Sequence, residues 1–199
     1  MTLLLCRQGL NNAMDVTMPT SLPPQTDSDV LSDAQAMALA LEQAQLAASI
    51  GEVPVGAVLL DADGRLLSVG SNRTVCDHDP TQHAEIVALR AATRKVGNYR
   101  LPGASLFVTL EPCMMCLGAL LHARLSRVVW AAADPKTGVC GSVESLHLHP
   151  TLNHHTRVSG GLMSEEAAQA LRDFFRERRE QKKLQKQAQT VQSPLDGTP

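Results

Sequence analysis

The stretch Ser105–Cys116, Ser-Leu-Phe-Val-Thr-Leu-Glu-Pro-Cys-Met-Met-Cys, joins an apolar run directly to a helix signal. Residues 105–110 are apolar and partly β-branched, which is typical of a buried strand. Pro112 is favoured in the first turn of a helix and predicts a short helix that ends near Ala123. The next apolar run, Arg127–Ala132, predicts another strand. A strand, a helix and a strand in this order predict a layered α/β domain with a parallel crossover.

Upstream of this stretch, the pattern predicts a helix and a hairpin. Ser32 and Gln35 have the spacing of a capping box, and apolar residues recur at helical spacing from there to Gly51. Two apolar runs, Val53–Leu60 and Arg65–Val69, flank a turn of Asp, Ala, Asp and Gly, as expected of a hairpin. Because the hairpin is antiparallel and the later crossovers should be parallel, we expect a mixed sheet.

Two further helices are predicted. Asp79, Pro80 and Gln82 mark the start of a helix that extends to about Val96. Ser164 begins a long helix, which has an apolar side and runs out into a stretch rich in Arg and Lys. Strands that alternate with helices in this way predict the α/β fold class.

Length and composition indicate one folded domain. The 199 residues are enough to bury a hydrophobic core, and 44% hydrophobic with 19% charged residues is close to average usage in soluble globular proteins. Residues 1–29 show no sustained period, and the polar stretch 187–199 contains Pro and Gly. We therefore expect a disordered N-terminal extension over residues 1–29, a folded domain over 30–186 and a disordered tail over 187–199.

Charge, hydropathy and cysteine content narrow the setting. A net charge of -2 gives no overall attraction to nucleic acid, so such a partner would need a local basic patch. No apolar run approaches the roughly 18 to 20 residues of a membrane-spanning helix, and the N-terminal apolar run is too short for a secretory signal. We therefore expect a cytoplasmic protein with no membrane partner. Five cysteines with one close pair favour metal or redox chemistry over a disulfide framework.

The close pair is Cys113 and Cys116, at a predicted helix start where backbone N–H groups favour thiolates. By itself the pair is equally compatible with a redox motif or with buried core cysteines. His83 also stands near a predicted helix start, where capping and surface roles are common. Together the three residues form a donor set known for catalytic zinc, which takes three protein ligands and leaves a fourth position for water.

Glu85 is the candidate for proton transfer. Zinc lowers the pKa of bound water so that hydroxide is available near neutrality, and a nearby carboxylate can take up the proton. The alternative for Glu85 is an exposed helix charge. Positions two apart on a helix point about 200° apart, so His83 and Glu85 can share a site only if the end of their helix faces it.

Motif spacing connects these residues to a known family. His83-Ala84-Glu85 followed by Pro112-Cys113-Met114-Met115-Cys116 resembles the zinc nucleobase and nucleoside deaminase superfamily. Within it, the chain is similar to the bacterial tRNA adenosine deaminases from the first helix to Lys186. The segments that carry this similarity are Glu52–Val58, Asn72-Arg73, His78–Glu85, Asn98–Leu101, Val108–Cys113, Asp134–Gly138 and Asp173–Arg176.

The resemblance implies a fold and an activity. The fold is a three-layer α/β/α, cytidine-deaminase-like domain with a mixed sheet of about five strands flanked by helices. The activity is hydrolytic conversion of adenosine to inosine at the wobble position of a tRNA anticodon, with one Zn²⁺ per subunit and with Glu85 moving the protons. The implied partners are the tRNA anticodon stem-loop and a second copy of the chain in a homodimer.

The resemblance also implies roles for substrate-contacting residues. Asn72 would hydrogen-bond the flipped nucleoside, and Val53 and the Pro54 segment would line the base pocket. Ala84 and Glu111 would offer backbone groups near the reacting edge. The alternatives are that Asn72 is an ordinary turn residue and that Val53 and Pro54 belong to the core of a strand.

Two segments are expected to contact the RNA. Asp134 and Lys136 would lie in a loop at the anticodon, with Lys136 on phosphate; the departure there is Ala133, at a position that is often basic in relatives. Residues 172–186 carry seven basic and three acidic side chains, among them Arg176, and phosphate contacts supply much nucleic-acid affinity. Phe175 could stack on a base. The alternative for this helix is a solvated charged face.

Three other functions stay open from the sequence. A free-base or nucleotide deaminase acting on guanine, cytosine or deoxycytidylate would share the metal motif. A zinc-stabilised tRNA-binding module without turnover would not need Glu85. A structural zinc site would need a fourth protein ligand, and the remaining candidates bear no motif relation to the three ligands: Cys76, Cys140, His78 and His122.

Overall fold

A computed structural model describes residues 30–192, with side chains for residues 30–187. The strands in this range are β1 (Gly56–Leu60), β2 (Leu66–Ser71), β3 (Ser105–Leu110), β4 (Arg127–Ala132) and β5 (Arg157–Gly160). The α-helices are α1 (Asp33–Ser49), α2 (Ala84–Val96), α3 (Met114–His122) and α4 (Ser164–Gln192). The expected N-terminal extension over residues 1–29 lies outside the described residues.

The strands form one mixed sheet in the order β2-β1-β3-β4-β5. Strand β1 is antiparallel to both of its neighbours, and Val58 at its centre lies opposite Val69 on β2 and Phe107 on β3. Strands β3, β4 and β5 are parallel. The predicted mixed sheet is confirmed.

Alternate side chains of the sheet build two separate cores. Ala57 and Leu59 point into the core beneath α2 and α3, whereas Val58 and Leu60 point into the core beneath α1 and α4. Because strand residues alternate between the faces, each face receives its own layer of helices. This is the three-layer α/β/α arrangement.

Several helix and strand limits differ from the predicted ones. Helix α1 begins as predicted, since Ser32 and Gln35 form both hydrogen bonds of the capping box. Helix α2 begins at Ala84, five residues after the predicted start, because the Asp79 side chain closes a separate turn by accepting from the backbone and hydroxyl of Thr81. Strand β1 begins at Gly56 rather than at Val53.

The C-terminal third adds two features. Strand β5 is four residues long and mostly exposed, and the sequence pattern does not predict it. Helix α4 continues to Gln192, beyond the predicted domain limit at residue 186. The division into a domain and two tails stays a prediction. Within residues 30–192, none of the helices combines the length and apolar character needed to cross a membrane.

Candidate metal centre and active site

Both candidate metal-binding segments stand at helix N-termini. His83 is the N-cap of α2, and Cys113 is the N-cap of α3. Helix α2 lies unusually close to the sheet, since a Cβ at Gly70 of β2 would come within 2.3 Å of the Ala84 carbonyl oxygen. Because His83 and Cys113 are N-caps, the N-termini of α2 and α3 both point their backbone N–H groups and positive dipole ends at one site. This favours anionic ligands there.

The three candidate ligands converge. The Nδ1 atom of His83 lies 3.7 Å from Sγ of Cys113 and 3.5 Å from Sγ of Cys116. All three ligand atoms lie within 4.8 Å of one another, and they are the only such group of His, Cys, Asp and Glu within the described part of the chain. One imidazole nitrogen and two sulfurs facing a common point match the donor set of a three-ligand zinc site.

Hydrogen bonds among the three ligand side chains shift their pKa values. The hydrogen bond with Cys116, and secondarily the one with His83, lowers the pKa of Cys113 to about 4. The hydrogen bond with Cys113, together with burial, raises the pKa of Cys116. The hydrogen bond with Cys113 also raises the pKa of His83. The lowered pKa favours the thiolate form of Cys113, which is the form that binds a metal.

Glu85 lies in the first turn of α2, two residues after His83. It is only 4% exposed, and burial raises its pKa to about 7. A carboxyl with a pKa near the operating pH can both accept and donate a proton. His83 and Glu85 meet the site from the end of α2 rather than from its flank, so the geometric condition derived from their spacing is fulfilled.

Asn72 connects the end of β2 to the start of α2. Its side-chain Oδ1 accepts a hydrogen bond from the backbone N–H of Ala84 over 2.9 Å, and Asn72 is 8% exposed. The bond fixes the orientation of the amide, so that its NH₂ group is the part that can donate to a ligand. The N–H of Ala84, expected near the reacting edge, is thus already used within the protein.

A cavity of about 230 Å³ lies beside the ligand cluster. This is smaller than the roughly 300 to 1,000 Å³ of drug-sized pockets, as suits a single heterocyclic base. Its lining includes Val53, Asn72, His83, Glu85, Glu111, Cys113 and Asp134, all predicted site residues. It also includes Val55, Thr74, Leu110 and Thr137, which were not predicted.

Three of the unpredicted residues lie inside segments that carry the family similarity: Val55 in Glu52–Val58, Leu110 in Val108–Cys113 and Thr137 in Asp134–Gly138. Thr74 lies outside all of these segments. Val55 and Leu110 are at or beside strand ends, where apolar residues are expected for packing alone. Pro54, predicted in the base pocket, is buried, and Cys116 is fully buried. Neither is part of the cavity lining.

A hydrogen bond connects Glu111, just after the end of β3, to Asp134, after the end of β4. The backbone N–H of Asp134 donates to Oε2 of Glu111 over 3.1 Å. The backbone N–H of Glu111 donates to Ala132, which leaves its carbonyl as the backbone group for a substrate. Burial would raise the pKa of the Glu111 carboxyl, but hydrogen bonds from Ser142, Asp134 and Cys140 outweigh it and keep the pKa below its usual value. The Asp134 carboxylate accepts from the backbone of Lys136 and from the backbone and hydroxyl of Thr137.

Of the residues predicted to contact RNA, Asp134 lines the cavity, whereas Lys136, Phe175 and Arg176 do not. Lys136 is exposed on the loop after β4, and Arg176 is exposed on α4, where it pairs with Asp173 at 2.6 Å. Phe175 is 45% exposed and lines a second cavity of about 260 Å³ together with Val53 and basic side chains of α4. Val53 lines both cavities, so the basic face of α4 borders the candidate active site.

A larger cavity, of about 590 Å³, lies between the end of α1 and α4. Its lining holds none of the metal-ligand candidates and no buried titratable pair. We therefore assign the site to the smaller cavity, where the donor set and the buried carboxylate meet.

Comparison with known proteins agrees with this geometry. A family model described as MafB19-like deaminase matches residues 31–179. The tRNA-specific adenosine deaminase of Haemophilus influenzae is 46% identical over 154 residues, which are 77% of this chain and 89% of that protein. A solved tRNA:A34 deaminase, from work on A-to-I editing at the wobble position of transfer RNA, is 45% identical with a TM-score of 0.66, covering 68% of this chain and 98% of that one.

A more distant structure, guanine deaminase from Bacillus subtilis, is 28% identical with a TM-score of 0.51, covering 72% of this chain and 95% of that one. The layered fold and the His/Cys/Cys group beside a buried glutamate define the class, a deaminase with the cytidine-deaminase-like fold. The high-identity relatives narrow this class. The chain belongs to the family of tRNA-specific adenosine deaminases, which confirms the resemblance stated from its motifs.

Proposed function

We propose that this protein deaminates adenosine to inosine at the wobble position of a tRNA anticodon. The observation that carries the proposal is the convergence of His83, Cys113 and Cys116 beside the buried carboxylate of Glu85 in one base-sized cavity. The identity of 46% to the tRNA-specific adenosine deaminase of H. influenzae supports adenosine in tRNA as the substrate.

His83, Cys113 and Cys116 would hold one Zn²⁺ through Nδ1 and two sulfurs. When bound, zinc supplies a water molecule that is acidic enough to react near neutrality. Side chains of the protein would then orient the nucleoside and transfer the protons. The NH₂ group of Asn72 donates to the bound nucleoside and keeps the reacting edge turned towards Glu85.

Glu85 would carry the protons of the reaction. It accepts a proton from the attacking water and passes one to the ring nitrogen next to the reacting carbon. It then takes the second proton from the hydroxyl group added to the reacting carbon and passes it to the departing amine, so that adenosine and water give inosine and ammonia. Because burial raises the pKa of Glu85 to about 7, both the protonated and the ionised form of this carboxyl are populated at neutral pH, as a group that accepts and then donates a proton requires.

The basic face of α4 would bind the anticodon stem-loop. Arg179 and Lys182 line the groove that contains exposed Phe175 and continues to Val53 at the active-site cavity. Basic side chains bind phosphates, and an exposed aromatic ring can stack on an unpaired base. Lys136 on the loop after β4 would contact phosphate from the other side. A tRNA substrate is consistent with a cytoplasmic location.

The protein would work as a homodimer. Large apolar side chains on α3 and on two other segments would be available to such an interface, since Met114 is 66%, Tyr99 64% and Leu148 67% exposed. One chain has a mass of 21.4 kDa, and sedimentation at micromolar concentration is expected to give twice this mass.

The test of the proposed activity uses a zinc-loaded protein and an anticodon stem-loop with adenosine at the wobble position. We expect inosine and ammonia from the stem-loop, a loss of about 10²- to 10⁴-fold in the rate for Glu85→Gln, and normal rates for Glu166→Gln on the exposed start of α4. Ammonia from guanine or cytosine with none from the stem-loop would favour a free-base deaminase, of which the B. subtilis relative is an example. Near-normal inosine formation by Glu85→Gln would refute the assigned proton carrier.

A further inference from the structure

The carboxylate of Glu111 is the centre of a hydrogen-bonded clamp next to the active site. Its side chain is 2% exposed. Oε1 accepts from the backbone N–H groups of Cys140, at 2.8 Å, and Ser142, at 3.0 Å. Oε2 accepts from the backbone N–H of Asp134, at 3.1 Å, and from the hydroxyl of Ser142.

These four bonds connect one side chain to both ends of a single loop. We call residues 134–142 the rim loop. Asp134, two residues after the end of β4, begins it, and Cys140 and Ser142 lie at its other end. Asp134 and Thr137 line the active-site cavity. Because the carboxylate is hydrogen-bonded to both ends of the rim loop, it restricts the positions that the residues between these ends can take.

The interior of the rim loop is fitted to the same carboxylate. A Cβ at Gly138 would lie 2.4 Å from Oε2 of Glu111 and 2.6 Å from the Asp134 carbonyl oxygen, so only glycine leaves room for the clamp. Gly138 also forms a bridge with Cys113, and the N–H of Val139 donates to Pro112 over 3.1 Å. The rim loop is thereby connected to the segment that carries the first cysteine ligand.

A neutral isostere could not replace this carboxylate. Ionised Glu offers acceptors on both oxygens, whereas Gln offers one acceptor and one NH₂ donor. Whichever way the amide turns, its NH₂ group faces at least one N–H group that it cannot satisfy, and an unpaired buried donor is costly. Glu111→Gln should therefore release one end of the rim loop while keeping nearly the same volume.

We propose that Glu111 is a positioning residue whose carboxylate holds the rim loop in place to receive the RNA substrate. The inference rests on the proposed function, because the substrate is the anticodon stem-loop. It assigns to the side chain of Glu111 a role that differs from the backbone contact implied by the family resemblance. The four hydrogen bonds of the Glu111 carboxylate all go to the rim loop, so the side chain acts through the position of Asp134, Thr137 and the residues between them.

The test measures KM and kcat separately on the stem-loop, together with zinc content, for zinc-loaded variants. Glu111→Gln is expected to raise KM about tenfold, the effect of leaving about one buried donor unpaired, with a smaller change in kcat and one zinc per chain. Ser142→Ala removes one donor and should raise KM less. The double variant should show less than the combined effect of the two, since both changes act on the same clamp. Glu144→Gln, exposed just after the loop, is the matched control and should behave as wild type.

The outcomes separate the two proposals. If the wild-type protein forms no inosine, the proposed function fails, whatever the variants do. If the wild type is active but Glu111→Gln changes only zinc content or kcat, Glu111 is merely structural and the inference is wrong. If Glu111→Gln does not fold, Ser142→Ala decides, because an unchanged KM for that variant would contradict the clamp.

Discussion

The side-chain Oδ1 of Asn72 accepts the backbone N–H of Ala84 over 2.9 Å, and Ala84 lies between the metal ligand His83 and the proton carrier Glu85. One residue therefore both holds the first turn of α2 and presents an NH₂ group to the cavity. The two roles can be separated because Asp keeps the acceptor oxygen and loses the donor.

We expect Asn72→Ala to lose both roles and Asn72→Asp to lose mainly the contact to the substrate. The Ala variant leaves a buried N–H unpaired, so its free energy of unfolding should fall by about 1 to 3 kcal/mol. The Asp variant should retain most of its stability but form inosine far more slowly. Urea unfolding and inosine assays on both variants measure this difference, and equal stability of the two would show that the bond to Ala84 contributes little.

Removal of a metal ligand gives the second prediction. Cys116→Ala should lose zinc and activity together, because two protein ligands hold the metal too weakly for a catalytic site. Cys140→Ala is the control: Cys140 is buried nearby, and burial raises its pKa to about 12, so it stays a neutral thiol. Zinc content by atomic emission should stay at one per chain for Cys140→Ala. Retention of zinc by Cys116→Ala would contradict the ligand set.

The sequence predicts the residues that are close neighbours along the chain, and it does not predict contacts between residues that are far apart in the chain. The ligand residues and Glu85 could be predicted because each pair lies within one helix start, where spacing alone brings the side chains to one site. The clamp at Glu111 could not, because its partners follow 23 to 31 residues later in a loop without regular pattern. Strand β5 was missed for a related reason, since four mostly exposed residues carry no alternation and only pairing with β4 defines them.

The ion pair between Asp33 and Arg127 gives a prediction for pH dependence. Asp33 accepts from Arg127 at 2.8 Å, and this hydrogen bond lowers the pKa of the Asp33 carboxyl. A group with a lowered pKa stabilises the folded state above its unfolded pKa of about 3.9, and the contribution is lost as the pH falls through the folded value. The side chains of Arg127 and Asp33 are 32% and 47% exposed, so solvent screens the pair and the contribution should be about 0.5 kcal/mol.

Asp33→Asn should therefore lower the free energy of unfolding slightly at pH 7, and the difference from wild type should disappear as the pH falls below the unfolded pKa of about 3.9 and through the lower folded value. Urea unfolding between pH 7 and pH 3 measures both curves. Asp63→Asn is a suitable comparison, since Asp63 pairs with Arg65 within a tight turn and is 73% exposed. A difference for Asp33→Asn that stays constant across this range would exclude a contribution from its ionised form.

The salt dependence of RNA binding gives the last prediction. Arg179 and Lys182 line the groove at Phe175, whereas Arg94 is exposed on α2, on the opposite side of the sheet. Each phosphate contact to a single strand adds about 0.7 to the slope of log affinity against log salt concentration. The double variant Arg179→Gln with Lys182→Gln should therefore bind the stem-loop more weakly and with a slope smaller by about 1 to 1.5. Arg94→Gln should change neither quantity. Binding of the double variant with an unchanged slope would place the phosphates elsewhere, because neutralising a cation that contacts phosphate must reduce the number of counterions released.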